Sequence, residues 1–165
     1  MALATRLSFI EYSQRQFEPE CELIDGELIP KPMGTLEHMQ MEKRLARLLD
    51  HFEQQGLGQV VWELSIRREN DVRIPDLVFV APEARFEGGL LIDPPLLCVE
   101  VLSPSQRPTE LFAKCESYHA WGVPNCWIVD PIRKAAWEYH ANSQPVKTDS
   151  ELTAGPVRIA VRDLF

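Results

Sequence analysis

Two short apolar runs constrain this chain more than anything else in it. They are Ile74-Pro75-Asp76-Leu77-Val78-Phe79-Val80 and Leu96-Leu97-Cys98-Val99-Glu100-Val101-Leu102. Apolar runs of this length read as buried strands. Each carries one carboxylate, and an ionised carboxyl group taken out of water is costly unless it is paired, hydrogen-bonded or bound to a cation. The two strands are therefore expected side by side, with Asp76 and Glu100 on one face near one end of a sheet. Paired carboxylates of this kind suit a hard divalent cation such as Mg²⁺ or Mn²⁺, which takes oxygen ligands and keeps several waters.

The segments around these runs predict an α/β domain whose central mixed sheet is flanked by two helices, with an N-terminal β-hairpin. Residues 1–20 form a polar, weakly helical lead-in with Ser8 as a candidate cap. The Asp25-Gly26 pair turns a hairpin between Cys21 and Ile29. Thr35 caps an amphipathic helix over 36–52, with Leu45, Leu48, Leu49 and Phe52 on its apolar face. Alternation over 60–67 predicts a period-two strand closed by the turn Arg68-Glu69-Asn70-Asp71. Residues 81–95 read as loop. Thr109 is expected to cap a helix running through Trp121, followed by a strand over 126–129 and a return strand over 135–140. The tail from about Asn142 reads as loop until a last strand over 157–161.

A chain of 165 residues with 45% hydrophobic content supports one core, so residues 1–165 are expected to form a single domain. The formal net charge of −8 opposes non-specific attraction to polyanions, except where a bound divalent cation neutralises the carboxylates. No stretch approaches the ~20 apolar residues of a bilayer helix, and the N-terminus lacks signal-peptide order, so no membrane partner and a cytoplasmic location are expected. Cys21, Cys98, Cys115 and Cys126 form no C-x-x-C pair and read as reduced, structural thiols. The histidines lack zinc spacing, and no phosphate-binding glycine loop or G-x-S-x-G elbow is present.

What such a pair of carboxylates still needs is a cation for the nucleophile or the phosphate. Lys114 is the candidate, on the helix that follows the Glu100 strand, and Tyr118 shares its helix face at i+4.

Taken together, the order of motifs resembles the Uma-two branch of the PD-(D/E)xK nuclease superfamily, a set of restriction endonuclease-like bacterial proteins. The resemblance is carried by Glu22-Leu23-Ile24-Asp25-Gly26, His38, Pro75-Asp76-Leu77-Val78-Phe79-Val80, Glu100-Val101-Leu102-Ser103-Pro104-Ser105, Lys114, Tyr118 and the run from Gly122-Val123-Pro124 to Trp127-Ile128-Val129-Asp130-Pro131. It spans roughly residues 9 to 140. It implies a restriction endonuclease-like core and a Mg²⁺- or Mn²⁺-dependent endonuclease acting on DNA. In that site Asp76, Glu100 and the Val101 carbonyl hold the metal, and Glu22, His38, Ser103 and Tyr118 lie around it. The chain departs from the parent signature at Leu102, where lysine is usual, so the cationic role moves to Lys114. Cutting both strands of a duplex requires two such sites, which implies a homodimer.

Other readings of the same residues stay open. Asp76 also reads as a loop-capping aspartate, Glu100 as half of a structural salt bridge and Glu22 as a plain hairpin residue. His38 either positions a phosphate or Glu22, or bonds locally. Lys43, Arg44 and Arg47, and likewise Arg67, Arg68 and Arg73, read as solvated charge balanced by Glu42, Asp50, Glu69 and Asp71, unless they flank the carboxylates as a phosphate track. Trp121 and Trp127 read as core or dimer contacts. The alternative to an enzyme is a catalytically degenerate binding or assembly module on the same fold.

Overall fold

The computed structural model describes residues 6–165; the first five residues, which belong to the expected lead-in, lie outside the described residues. Helix α1 (Phe9–Ser13) starts at a capping box in which Ser8 and Glu11 bond reciprocally. Strands β1 (Cys21–Ile24) and β2 (Glu27–Pro30) pair around Asp25 and Gly26, whose φ angles of 50° and 80° suit the expected tight turn. Helix α2 (Leu36–Gln54) begins at Thr35, whose side chain accepts the His38 N–H.

Two six-stranded sheets and a hairpin follow from the remaining elements. The first sheet gathers β1 and β2 with β4 (Ile66–Arg68), β5 (Asp71–Arg73), β7 (Phe86–Glu87) and β8 (Leu90–Leu91), in the order β2-β1-β5-β4-β8-β7. The second joins β3 (Gln59–Trp62), β6 (Leu77–Val80), β9 (Leu97–Val101), β10 (Asn125–Asp130), β11 (Ala135–His140) and β12 (Val146–Thr148), in the order β12-β11-β10-β9-β6-β3. Helix α3 (Pro108–Ala120) connects β9 to β10, which pair in parallel, while the other pairings of this sheet are antiparallel. The hairpin of β13 (Glu151–Ala154) and β14 (Val157–Ala160) leads into a 3₁₀ turn, Val161–Asp163.

Side chains alternate across the second sheet, so each face has its own core. Val99 and Val101 pack with Leu45 and Leu49 of α2 and with the β13–β14 hairpin. Cys98 and Leu102 pack on the other face with Leu111, Cys115 and Tyr118 of α3. The mixed sheet between two helices thus matches the expected fold class, and all four cysteines are free and buried. No described helix is long and apolar enough to cross a membrane.

The departures have local causes. The expected strand over 60–67 splits at Glu63, whose φ is 45°, so that β3 joins one sheet and β4 the other. The Asp76 run becomes strand only from Leu77, because Pro75 has no N–H to give to a ladder. Helix α3 starts at Pro108 with Arg107 as a cap that makes no side-chain bond, so Thr109 is inside the helix; proline's fixed φ suits the first helical position. The supposed loop over 81–95 contains β7 and β8 around Gly88 and Gly89, both at positive φ. The supposed tail loop contains β12 and β13, short strands with partly exposed faces that leave little apolar signal.

Candidate functional site

Asp76 and Glu100 meet at the end of the second sheet. Leu77 faces Val99 in the β6–β9 register, and one further step places Asp76 opposite Glu100. Asp76 Oδ2 accepts the Val101 N–H at 2.7 Å and lies 3.3 Å from His38 Nε2, and Oδ1 lies 3.4 Å from Lys31 Nζ. His38 comes from the first turn of α2, and Lys31 from the segment leaving β2. Asp76 and Glu100 are 5% and 4% exposed, at the floor of a cleft of about 260 Å³.

The opposite face of the sheet supplies the other half. Lys114 Nζ of α3 lies 3.0 Å from Glu100 Oε1 and 3.0 Å from Glu22 Oε1. Tyr118, one turn on, donates its hydroxyl to Glu100 Oε1 at 2.5 Å. Glu22 also accepts the Ile74 N–H at 2.8 Å and the Arg73 guanidinium at 3.1 Å. Leu102, two residues beyond Glu100, is 1% exposed and fills the α3-side core. No cation can stand at that position without burial among apolar groups, and Lys114 brings one to the same carboxylate from the helix. Ser103 is buried at the cleft wall, where its N–H donates to Gln106 Oε1 at 3.1 Å.

The fields in this cluster oppose one another. Burial, with the charges of Asp76 and Glu22, pushes the Glu100 carboxyl up to about 7 against the pull of Lys114 and Tyr118. Burial also works to raise Asp76, yet the His38 hydrogen bond and the charges of Lys31, His38 and Lys114 hold it below the usual carboxylate range. Burial alone would lower Lys114, but Glu100, Glu22 and Asp76 outweigh it and raise its pKa, so the ammonium stays charged. Burial raises Tyr118 well above its ordinary value, with Glu100 adding to the effect, so its hydroxyl stays a donor.

His38, Glu42 and Asp76 each offer a ligand atom, and these atoms lie within 4.8 Å of one another. Burial and the charge of Asp76 push Glu42 up to about 7, and His38 Nδ1 is buried without a hydrogen-bond partner. An ionised aspartate, a second carboxyl that burial and its neighbour raise, and an imidazole nitrogen without a hydrogen-bond partner are donors that fit a divalent cation. Asp76 belongs both to this group and to the pair with Glu100.

Lys31 and Glu42 carry no signal strong enough to be singled out in the sequence. Glu42 is one helical turn from His38, which is the one spacing that could have drawn it in, but it reads there as solvated counter-charge. His38 Nε2 faces Asp76 at 3.3 Å and its Nδ1 lies 3.6 Å from Glu42, and among the described contacts it has none with Glu22. Of the basic groups, Arg73 joins the cluster through Glu22, whereas Arg67 covers the Phe9 ring at 3.6 Å, Arg68 bonds the Ala120 carbonyl and Arg44 bonds the Leu164 carbonyl at 2.6 Å. Trp127 is core, and its indole N–H donates to the Thr153 carbonyl at 2.9 Å.

The family model for Uma2, described as "putative restriction endonuclease", matches residues 9–163. No curated protein matches the chain. Among solved structures, a crystal structure of a "putative nuclease belonging to DUF820" from Anabaena variabilis superposes with a TM-score of 0.83 at 21% sequence identity, covering 96% of this chain and 97% of that one. At that identity the likeness speaks for the fold.

Proposed function

The chain belongs to the Uma2 family, and from that premise we propose that it is a divalent-metal-dependent endonuclease hydrolysing DNA phosphodiester bonds. Residues 1–165 act in this reading as one nuclease-like domain. Asp76, Glu100 and the Val101 carbonyl hold Mg²⁺ or Mn²⁺, with His38 and Glu42 beside them. When bound, the cation supplies Lewis-acid stabilisation of the phosphate and a lowered pKa for a coordinated water.

The observation that carries the reading is Lys114, a half-buried ammonium bridging Glu22 and Glu100 at 3.0 Å each, in the cleft that also holds Asp76. Its raised pKa makes it a fixed positive charge rather than a proton acceptor, suited to stabilising charge that builds on the phosphate oxygens. Tyr118 orients the Glu100 carboxylate, while the Val101 N–H and His38 orient that of Asp76. Glu22 holds Lys114 and is itself held by Arg73 and the Ile74 N–H. Scission of both strands of a duplex needs two copies of the site, hence a homodimer on such a substrate.

The test is cleavage of supercoiled plasmid with Mg²⁺, Mn²⁺ or EDTA. Nicking that needs metal and falls by roughly 10²–10³-fold in Asp76→Asn is the expected result; full activity in Asp76→Asn overturns the assignment. One observation favours a second reading as a non-catalytic binding module: Lys31 and Lys114 already place side-chain cations on Asp76, Glu22 and Glu100. Calorimetric titration with Mn²⁺ separates the two, since the module reading expects no heat.

A further inference from the structure

The cleft that holds the carboxylates has an apolar rim. Trp62 is 50% exposed and Met39 60%. Trp62 and Met39 line the same cleft as Asp76, Glu100 and Lys114. Trp62 is also held firmly: it closes the edge strand β3 opposite Leu77, and the next residue, Glu63, donates its N–H to the Asp76 carbonyl at 3.0 Å. The indole therefore stands one register step from the catalytic aspartate.

We propose that Trp62, with Met39 beside it, is a stacking platform for an unpaired nucleobase next to the reacting phosphate, so that the site acts on single-stranded or locally unpaired DNA. This rests on the nuclease reading above. Three observations favour a base over other occupants. The carboxylates are 4–5% exposed, so the phosphate must descend to them, and a flexible strand can bend into the cleft and turn a base onto its rim. The cleft of about 260 Å³ takes a group of nucleotide size. The chain carries a net charge of −8, and four of the six clustered basic residues, Arg44, Arg67, Arg68 and Arg73, are engaged by the protein itself, so phosphate tracking is weak. Stacking is the contact that remains, and every base offers a face for it.

The experiment is fluorescence anisotropy of a labelled short oligothymidylate and a duplex of equal length, with Ca²⁺ in place of Mg²⁺. Wild type, Trp62→Ala and Trp62→Phe are compared, with plasmid nicking in Mg²⁺ measured in parallel. The single strand is expected to bind the wild type roughly tenfold or more tighter than duplex. Trp62→Ala should lose about 5- to 100-fold in that affinity, and Trp62→Phe should keep most of it. Equal binding of the two DNAs, or an unchanged affinity in Trp62→Ala, overturns the platform, and if plasmid is still nicked the nuclease reading survives it. Trp62-dependent binding without cleavage in any metal leaves the base site standing and removes the nuclease. A dimer seen by sedimentation that dissociates in Trp62→Ala while DNA affinity is unchanged makes this face a subunit contact and also overturns the platform.

Discussion

Glu100 and Asp130 are buried carboxylates on the adjacent parallel strands β9 and β10, 4% and 1% exposed, and they are satisfied in opposite ways. Among the described residues Asp130 bonds its own turn alone: Oδ1 accepts the Ile132 and Arg133 N–H groups at 3.0 Å each, and Oδ2 the Arg133 guanidinium at 3.2 Å. Glu100 takes no backbone donor among the described contacts. Its partners are Tyr118 and Lys114 from a helix packed across the sheet, and the acidic groups Asp76 and Glu22 crowd it. Burial of a carboxylate is thus common to both corners. What separates the turn aspartate from the candidate site glutamate is whether the partners come from its own turn or from elements remote in sequence that bring charges of both signs.

The largest break in this contrast comes from removing the cation. Lys114→Met leaves Glu22 and Glu100 buried together without their ammonium, and loss of one partner of a buried ion pair costs about 3–5 kcal/mol. Chemical denaturation of the metal-free protein should show that loss, and Mn²⁺ should restore part of it. A Lys114→Met protein as stable as the wild type in EDTA would mean that the cluster is solvated and the corner is not a charge trap.

Next comes the direct exchange of roles. Glu100→Gln keeps the shape and removes the charge. It should lower plasmid nicking by roughly 10²-fold or more and leave metal-free stability equal or higher. Asp130→Ala strips a turn of its acceptor and should cost about 1–3 kcal/mol of stability, with nicking per folded molecule unchanged. If Asp130→Ala instead abolishes cleavage in a stable protein, the division between the two corners fails.

The contrast also marks what could be read from the sequence. Apolar runs around Asp76 and Glu100 were enough to pair β6 with β9, because an apolar strand of that length has few other places to go. Helix periodicity put Lys114 and Tyr118 on one face, and the family resemblance gave Lys114 its place beside the carboxylates. Lys31 and Glu42 did not, since each is an ordinary polar residue until the fold brings the end of β2 and the start of α2 against Asp76. The split of the 60–67 strand and the pair β12 and β13 escaped for a related reason. The split is fixed by a positive φ at Glu63, and β12 and β13 are short, partly exposed strands paired with their chain neighbours β11 and β14, so their apolar signal is weak.

The smallest effect is a slope with pH, and it sharpens the comparison by naming the sign. Glu100 and Glu42 have folded-state pKa values pushed up to about 7 from an ordinary 4.5, each first by burial and then by neighbouring carboxylates and opposed by nearby cations. A carboxyl group raised on folding binds more protons folded than unfolded between those values, so stability falls as pH rises through that window. His38 adds to the same direction: burial opposes its proton, but Asp76 and Glu42 raise its pKa above 6.5, so its contribution is complete below 6.5 and is lost as pH passes the folded value. Asp76, held below 3.8, acts only at lower pH. Metal-free protein should therefore lose stability steadily between pH 5 and 8. The slope should shrink in Glu100→Gln and persist in Asp130→Ala. Saturating Mg²⁺ should flatten it, because a cation that binds the deprotonated carboxylates stabilises the folded state most where they are ionised. Thermal melts across that range, with EDTA and with Mg²⁺, read the effect directly. A metal-free stability that rises toward pH 8 would show that Lys31 and Lys114 already compensate the cluster, which is the charge balance a binding module needs and a metal site does not.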